Sequence, residues 1–229
     1  MRSIYVPIAS PDQWKALLAE PEKQWRTGYS ARTIAHSWLA ADGIPTEVLA
    51  LLGASGIAAL KDVEPLLIIP EHQVILPPSS GHPSQNDVFV LAKAEDGPLV
   101  SIAVEGKVSE AFGPTFADWS EDLTRGKMAR LAFLKELLAL EKNIPPTVRY
   151  QLLHRLASAV VEAQRFGARY AVMVIHSFSP SDEWLPDFNA FLSLFGASAQ
   201  VGELAWLLRR GELSVHAGWA RGDPRFLAA

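Results

Sequence analysis

The sequence predicts an α/β protein in which helices flank a central mixed β-sheet, and three observations support this fold class. Two segments rich in β-branched and aromatic residues, VFVLAK and LVSIAVEGKV, are separated by the turn residues EDGP at 95–98, which predicts a β-hairpin within residues 84–112. A helical segment at 147–166 precedes the apolar strand AVMVI, whose composition is typical of the middle of a sheet. Residues 1–60 carry helix signals instead.

The N-terminal helices are predicted from their start signals. Ser10 followed by Pro11 marks a helix start, because serine caps helix N-termini and proline suits the first helical position. A second amphipathic helix follows within ARTIAHSWLAAD, and Thr46 begins a third. The start of the chain lacks a continuous apolar segment, so we predict no signal peptide.

The segment EPLLIIPEHQVIL at 64–76 predicts an extended strand that is broken or bulged at Pro70, because proline cannot donate to a β-ladder. The following loop, PPSSGHPSQ, is rich in proline, serine and glycine and delivers the chain to Asp87. Such a loop at the edge of a site can contact a substrate. His82 within it is either an exposed loop histidine or a contact for phosphate or metal.

Three ionisable residues stand at one end of the predicted hairpin. Asp87 opens its first strand, and Glu105 and Lys107 lie near the end of the second. Side chains alternate along a strand, so Glu105 and Lys107 share a face, and antiparallel pairing brings Asp87 beside them. Burying charge costs several kcal/mol per ion unless the charge is paired or bound to a metal. Two carboxylates and an amine at this point suggest a divalent-cation site.

This arrangement resembles the PD-(D/E)XK superfamily of restriction-endonuclease-like nucleases. That superfamily places an acid at the start of one strand and E-x-K on the next, which matches Asp87, Glu105 and Lys107, whereas Asn86 replaces a frequent proline. The segments GHPSQNDVF, VEGKVSEAFGP and YQLLHR are also similar to an uncharacterised bacterial branch. The length of the chain predicts a single domain, 1–229, and the resemblance implies an αβββαβ core at 64–178.

The resemblance also implies a function, namely a metal-dependent nuclease that hydrolyses phosphodiester bonds, with DNA as the expected substrate. Asp87 and Glu105 would ligate Mg²⁺ or Mn²⁺, and Lys107 would orient or activate the attacking water. Members often add an acid from an early helix. Glu47 is the candidate here, although a first-turn acid also complements the helix dipole. The expected partner is nucleic acid, no membrane is expected, and a homodimer is left open.

A helix is predicted from the apolar pattern between Lys127 and Leu140. It supplies one candidate substrate-binding residue, Arg130. Basic residues cluster at the start of this helix, where cations oppose the helix dipole. They are therefore either a solvated charged end of the helix or the contacts of an anionic partner.

The helix at 147–166 supplies two more candidates, Gln151 and Arg155. At 100° per residue they fall on one polar stripe together with Ser158 and Glu162. That stripe is either the solvent face of the helix or a face turned toward the metal site. In the second case Gln151 and Arg155 would hold a substrate phosphate.

The C-terminal part, 181–229, is predicted to add a helix and a hairpin to the sheet. The helix spans 182–195, and the segment ELAWLLRRGELSVHAGWARGD turns near Arg210-Gly211.

The composition limits the classes of function. The 229 residues are 49% hydrophobic and 20% charged and include no cysteine, which excludes cysteine-ligated zinc and cysteine nucleophiles and is consistent with a cytoplasmic protein. No apolar stretch approaches the roughly 20 residues that span a bilayer. The net charge of −4 counts against non-specific coating of nucleic acid, but it allows a locally basic groove.

Two alternatives to the nuclease stand beside it. The chain could keep this fold for binding alone, without catalysis. Alternatively, Glu105 and Lys107 form an exposed ion pair at a sheet edge, which would contribute only about 0–1 kcal/mol and would need no function.

Overall fold

The computed structural model of the chain describes residues 8, 10–79, 81–94 and 97–229, and this part contains one mixed sheet of six strands. The strands are β1 (Val63–Val74), β2 (Ser84–Ala94), β3 (Leu99–Lys107), β4 (Tyr170–Ser177), β5 (Leu204–Arg210) and β6 (Leu213–Arg221). Their order across the sheet is β1-β2-β3-β4-β6-β5. The β3–β4 and β4–β6 pairs are parallel, and the other neighbours are antiparallel. The predicted fold class, a mixed sheet flanked by helices, is confirmed.

The helices fall before, between and after these strands. They are α1 (Pro11–Lys15), α2 (Pro21–Gln24), α3 (Ser30–Ala41), α4 (Thr46–Gly53), α5 (Ala58–Lys61), α6 (Phe116–Ser120), α7 (Arg125–Leu137), α8 (Tyr150–Phe166) and α9 (Leu185–Leu192), with 3₁₀ turns at Ser193–Phe195 and Pro224–Ala228. The predicted cap at Ser10 is confirmed, because its side chain accepts from the Gln13 N–H. None of the described helices is long and apolar enough to cross a membrane.

The predicted strand pairs are confirmed. β2 and β3 form the antiparallel hairpin, β4 lies in the middle of the sheet, and β5 and β6 form the C-terminal hairpin. Glu95 and Asp96 of the predicted turn lie outside the described residues. Gly97 beside them has φ +100°, a left-handed conformation that favours glycine.

The prediction of a break at Pro70 is wrong. The register shift in β1 lies between Pro65 and Leu67, whereas Pro70 pairs with Val88. β1 is an edge strand, where a proline is tolerated because the backbone N–H groups on one side of the strand have no neighbouring strand to donate to. The unusual backbone is at the next residue, Glu71, whose φ is +51°.

Two apolar cores lie on opposite faces of the sheet. α8 packs on β3 and β4 on one face, and α3 packs on β3 and α4 on β6 on the other. Leu156 and Met173 belong to the first core, and Trp38 and Val172 belong to the second. Each fully buried side chain of this kind contributes about 1.5–3 kcal/mol. The layers thereby fix α8 against the strand that carries Glu105.

Candidate functional site

The central strands β2 and β3 separate at the point where the predicted site residues lie. Their ladder ends at the pair Val88 and Val104. Beyond this pair β2 continues beside β1, and β3 continues beside β4 through Lys107. The Asp87 carboxylate then accepts from the Gly106 N–H at 2.7 Å, so a side chain replaces the missing ladder partner. Asp87 is therefore held across the gap from the E-x-K segment.

Glu105 is the centre of a buried charged cluster. Its Oε1 accepts from Lys107 Nζ and from Gln151 Nε2, each at 2.8 Å, and its Oε2 accepts from Arg155 Nε at 2.5 Å. Only 3% of Glu105 and 5% of Lys107 is exposed. The pair therefore does not match the alternative of an exposed ion pair at a sheet edge, since it is buried on a central strand.

Gln151 and Arg155 lie one turn apart on α8, so their side chains reach the same carboxylate. Arg155 also donates from Nη1 to Ser84 Oγ at 3.0 Å, which ties β2 to the cluster. The polar stripe of α8 faces the protein interior, where Glu162 is only 2% exposed. Of the two interpretations of this stripe, the solvent face is therefore wrong.

The cluster shifts the pKa values of its acids in opposite directions. Burial alone would raise the pKa of Glu105, but the Arg155 and Lys107 cations outweigh burial and lower this pKa to about 2. For Asp87, burial and the negative charges of Glu105 and Glu71 raise the pKa well above its ordinary value, although Arg155 and Lys107 oppose the shift. One acid is thus strongly ionised, and its neighbour resists ionisation.

Glu71 is a third acid at this point, and the sequence analysis missed it. Its carboxylate accepts from Trp14 Nε1 at 3.1 Å and from Gln85 Nε2 at 2.8 Å. Burial raises the pKa of Glu71 to about 7, and Glu105 adds to this shift. No strand pattern indicates Glu71, because its side chain is directed by a left-handed backbone that sequence alternation does not reveal.

Arg130 has other partners than the Glu105 cluster. Its guanidinium donates to the carbonyl oxygens of Leu76 at 2.9 Å and Pro77 at 2.7 Å, and to that of His82. It thereby holds the loop between β1 and β2. Of the three predicted substrate-binding residues, Gln151 and Arg155 join the predicted catalytic residues, whereas Arg130 does not.

Glu47 also lies apart from Glu105, in a cluster with His176 and Trp38. Its Oε1 is 3.0 Å from His176 Nε2, and Trp38 Nε1 donates to His176 Nδ1 at 3.2 Å. Burial lowers the pKa of His176, so the ring is neutral and carries its proton on Nε2, facing Glu47. Glu47 thus lies in the first turn of α4 and accepts a hydrogen bond from the buried His176.

The charged cluster retains unused oxygen acceptors. A carboxylate offers about four lone-pair sites. Hydrogen bonds from the described residues occupy three sites on Glu105 and one on Asp87. Gln151 Oε1 is buried and has no partner among these residues. Oxygen acceptors of this kind fit Mg²⁺, which prefers carboxylate, amide and water oxygens.

The described residues contain no group of three or more His, Asp, Glu or Cys side chains that could hold a metal ion. A cation held by Asp87 and Glu105 would have only these two carboxylates of the described residues among its ligands. Its remaining positions would be filled by waters and by amide or backbone oxygens, a common arrangement for Mg²⁺.

Comparison with known proteins identifies a family. The model of DUF6946, a domain of unknown function, matches residues 7–224. The chain belongs to this family. No curated protein and no solved structure matches the chain. The matched range includes all of the residues that form the Glu105 cluster.

Proposed function

We propose that this member of DUF6946 is a metal-dependent nuclease that hydrolyses phosphodiester bonds, with DNA as the expected substrate. The observation that supports this proposal is the convergence of Asp87, Glu105 and Lys107 where the two central strands separate. An acid, a second acid and an amine at this position are the residues of the PD-(D/E)XK pattern.

The order of elements supports the same proposal. Three consecutive antiparallel strands, β1 to β3, are followed by helices α6 to α8 and then by β4, which pairs parallel to β3. Helices α3 and α4 precede them. This order is compatible with the αβββαβ core of restriction-endonuclease-like proteins, to which the C-terminal hairpin adds two strands.

The side chains have distinct roles in this proposal. Asp87 and Glu105 would hold a Mg²⁺ or Mn²⁺ ion, which when bound supplies polarisation of a phosphate oxygen and a lower pKa for a bound water. Lys107 would donate to the attacking water or to the developing negative charge on the phosphate. To do so, the Lys107 ammonium must give up its hydrogen bond to Glu105 Oε1, which is 2.8 Å long, and donate to the substrate or the water instead.

Gln151 and Arg155 keep the Glu105 carboxylate in position. Arg155 binds Glu105 through Nε and Ser84 through Nη1, so it fixes the plane of the carboxylate relative to β2. Gln151 donates to Glu105, and its Oε1, which has no partner in the part of the chain that the structure describes, can accept a hydrogen bond from a water. The two residues therefore orient the centre from α8.

The test is cleavage of labelled single-stranded DNA, double-stranded DNA and RNA with Mg²⁺ or Mn²⁺, compared with the same reactions in EDTA. Metal binding is measured in parallel by calorimetry on the wild type, Asp87→Asn and Glu105→Gln. We expect metal-dependent cleavage, and metal binding that both substitutions weaken. Absence of cleavage on every substrate, together with no metal binding at millimolar concentration, would refute the proposal.

One observation favours the second candidate, a non-catalytic protein that keeps this fold for binding. Glu105 is 3% exposed and already bonds to two cations, so a metal ion must compete with them. If Asp87→Asn stabilises the protein and changes neither nucleic-acid binding nor metal binding, the cluster is structural, which excludes the nuclease; nucleic-acid binding by the wild type without cleavage would then support the second candidate.

A further inference from the structure

A cavity of about 390 Å³ opens beside the charged cluster, outside the residues discussed so far as catalytic. The loop between β1 and β2 forms one wall through His82 and Pro83, and α6 and the first turn of α7 form another through Trp119 and Lys127. The start of α8 closes it. The volume lies within the range of roughly 300–1,000 Å³ that is typical of small-molecule pockets.

The walls combine flat rings with positive charge. Trp119 and Tyr150 stack with ring centroids 4.0 Å apart and an angle of 11° between their planes. Tyr150 also lies against His154, at 5.2 Å between centroids. The described residues that line the cavity include Lys127 and Arg130 but no aspartate or glutamate. Such walls suit a ligand that has a flat ring and a negative charge.

Lys127 is the group that can reach an anion. Its Nζ donates to the Trp119 carbonyl at 2.8 Å and forms an ion pair with Asp122, whose side chain is 76% exposed. An exposed ion pair contributes only about 0–1 kcal/mol, so a phosphate can replace Asp122 at low cost. Arg130 is different, because its donors already hold the carbonyls of the loop.

A short chain of hydrogen bonds joins the cavity wall to Glu105. His154 Nδ1 lies 2.9 Å from Ser84 Oγ, which in turn accepts from Arg155 Nη1 at 3.0 Å. Arg155 then binds Glu105 directly. Between His154 on the cavity wall and Glu105 in the proposed cleavage centre there are therefore two side chains, Ser84 and Arg155.

We propose that this cavity is a nucleotide-binding subsite, in which a base packs against the rings of Trp119, Tyr150 and His82 and a phosphate contacts Lys127. The location of the subsite beside the cleavage centre rests on the proposed function. Its ligand chemistry rests on the walls alone. The same chemistry occurs in a free nucleotide and in a nucleotide within a single strand, so the test includes both.

The test measures binding in EDTA, where metal-dependent cleavage is absent. A fluorescein-labelled oligothymidylate is followed by anisotropy, and thymidine 5′-monophosphate is followed by calorimetry. Trp119→Leu and Lys127→Met are compared with wild type, and Trp206→Leu is the control, because Trp206 is 56% exposed on the edge strand β5. We expect each cavity substitution to weaken binding about tenfold or more, and the control to change nothing.

The two ligands distinguish the sources. Cavity-dependent binding of the oligonucleotide alone assigns the subsite to a strand, and cavity-dependent binding of the monophosphate alone assigns it to a free nucleotide. If neither binds, or if both cavity variants bind like wild type, the subsite proposal is wrong. If thermal melting shows that Trp119→Leu is unfolded, the test is repeated with His82→Ala, because His82 lies in a loop and is exposed.

The outcomes also separate this proposal from the proposed function. Cavity-dependent binding with neither cleavage of any substrate nor metal binding at millimolar concentration would support the nucleotide subsite and refute the nuclease. Metal-dependent cleavage with unchanged kcat/KM in all three cavity variants would leave the nuclease and remove the subsite.

Discussion

Two polar clusters lie on opposite faces of the sheet beside neighbouring residues of β3 and β4. Glu105 faces α8, whereas His176, the register partner of Gly106, faces α3 and α4 and bonds to Trp38 and Glu47. His176 and Glu105 are both buried, and each cluster contains an acid. In the His176 cluster both ring nitrogens have partners, whereas the Glu105 cluster leaves Gln151 Oε1 without a partner among the described residues.

The difference between the clusters is one of charge and of unused acceptors. The His176 cluster is a neutral ring held between a donor and an acceptor, which is how a buried histidine is satisfied. The Glu105 cluster gathers three acids and two cations, and one acid, Asp87, resists ionisation. Crowded carboxylates favour a cation that would neutralise them. The Glu105 side is therefore the candidate for chemistry, and the His176 side for structure.

The largest expected difference is in catalysis. If the proposed nuclease is correct, Asp87→Asn and Lys107→Met should each lower metal-dependent cleavage by at least about 100-fold, because one removes the proposed metal ligand and the other removes the proposed donor to the reacting phosphate. Glu47→Gln is the matched control on the opposite face, and its amide oxygen can still accept from His176. Its rate should stay within about twofold of wild type. A loss in Glu47→Gln equal to that in Asp87→Asn would contradict the division between the two faces.

Stability should also separate the clusters. Glu105→Ala leaves Lys107 and Arg155 as buried cations without their shared partner, which should cost about 3–5 kcal/mol. Trp38→Phe leaves the neutral His176 Nδ1 without a donor, which should cost about 1–3 kcal/mol, the upper part of this range including the void left by the larger buried indole. Urea unfolding measures both costs. Equal costs would mean that the cations near Glu105 find other partners.

The raised and the lowered pKa values in the charged cluster should make opposing contributions to the pH dependence of stability, with Asp87 acting in the same direction as Glu71. The pKa of Glu71 is raised to about 7, so its contribution is fully present below the unfolded value near 4.5 and is lost as pH rises through 7. The pKa of Glu105 is lowered to about 2, so its contribution is present above 4.5 and is lost as pH falls toward 2.

Glu71→Gln isolates the first contribution. Between pH 5 and pH 8 the wild type should lose on the order of 3 kcal/mol of unfolding free energy more than the variant, the equivalent of the Glu71 shift. Urea unfolding at a series of pH values measures this difference. Parallel curves for the two proteins would show that Glu71 ionises in the folded state as it does in the unfolded chain.

The sequence predicted the local elements better than the partners of the polar side chains. Strand composition and turn residues indicated the β2–β3 hairpin, because these signals are local. The helical stripe of α8 grouped Gln151 with Arg155, but a helical wheel does not show which face is buried. In α8 nearly every face is buried, so the polar stripe meets the sheet.

Two residues show why the rest could not be predicted. Arg130 binds carbonyl oxygens of a loop about 50 residues away, and every residue type has a carbonyl, so no sequence pattern marks its partners. Glu71 enters the site through a single left-handed residue in a strand. Such a conformation is a tertiary outcome, and alternation along the strand does not indicate it.

The smallest expected effect concerns Gly106, which lies between the two clusters. A Cβ at Gly106 would be 3.1 Å from Ile34 Cδ1 on α3 and 3.2 Å from Asp87 Oδ2, both closer than ordinary contact. Gly106→Ala should therefore cost about 1 kcal/mol of stability through crowding. It should also lower Mg²⁺ affinity about tenfold, because the Asp87 carboxylate must move. Gly53→Ala, where the new Cβ meets its nearest atom at 3.6 Å, is the control.

Adding Ile34→Val to Gly106→Ala separates the contact of that Cβ with Ile34 Cδ1 from its contact with Asp87, while Ile34 Cβ, 3.3 Å away, is kept. The smaller side chain removes Cδ1, so the two substitutions together should cost less stability than the sum of their separate costs. Metal affinity should not recover, because Asp87 Oδ2 remains crowded by the same Cβ. Recovery of both properties would mean that Ile34, through α3, determines the position of Asp87. The face of the sheet that carries His176 would then contribute to the geometry of the face that carries Glu105.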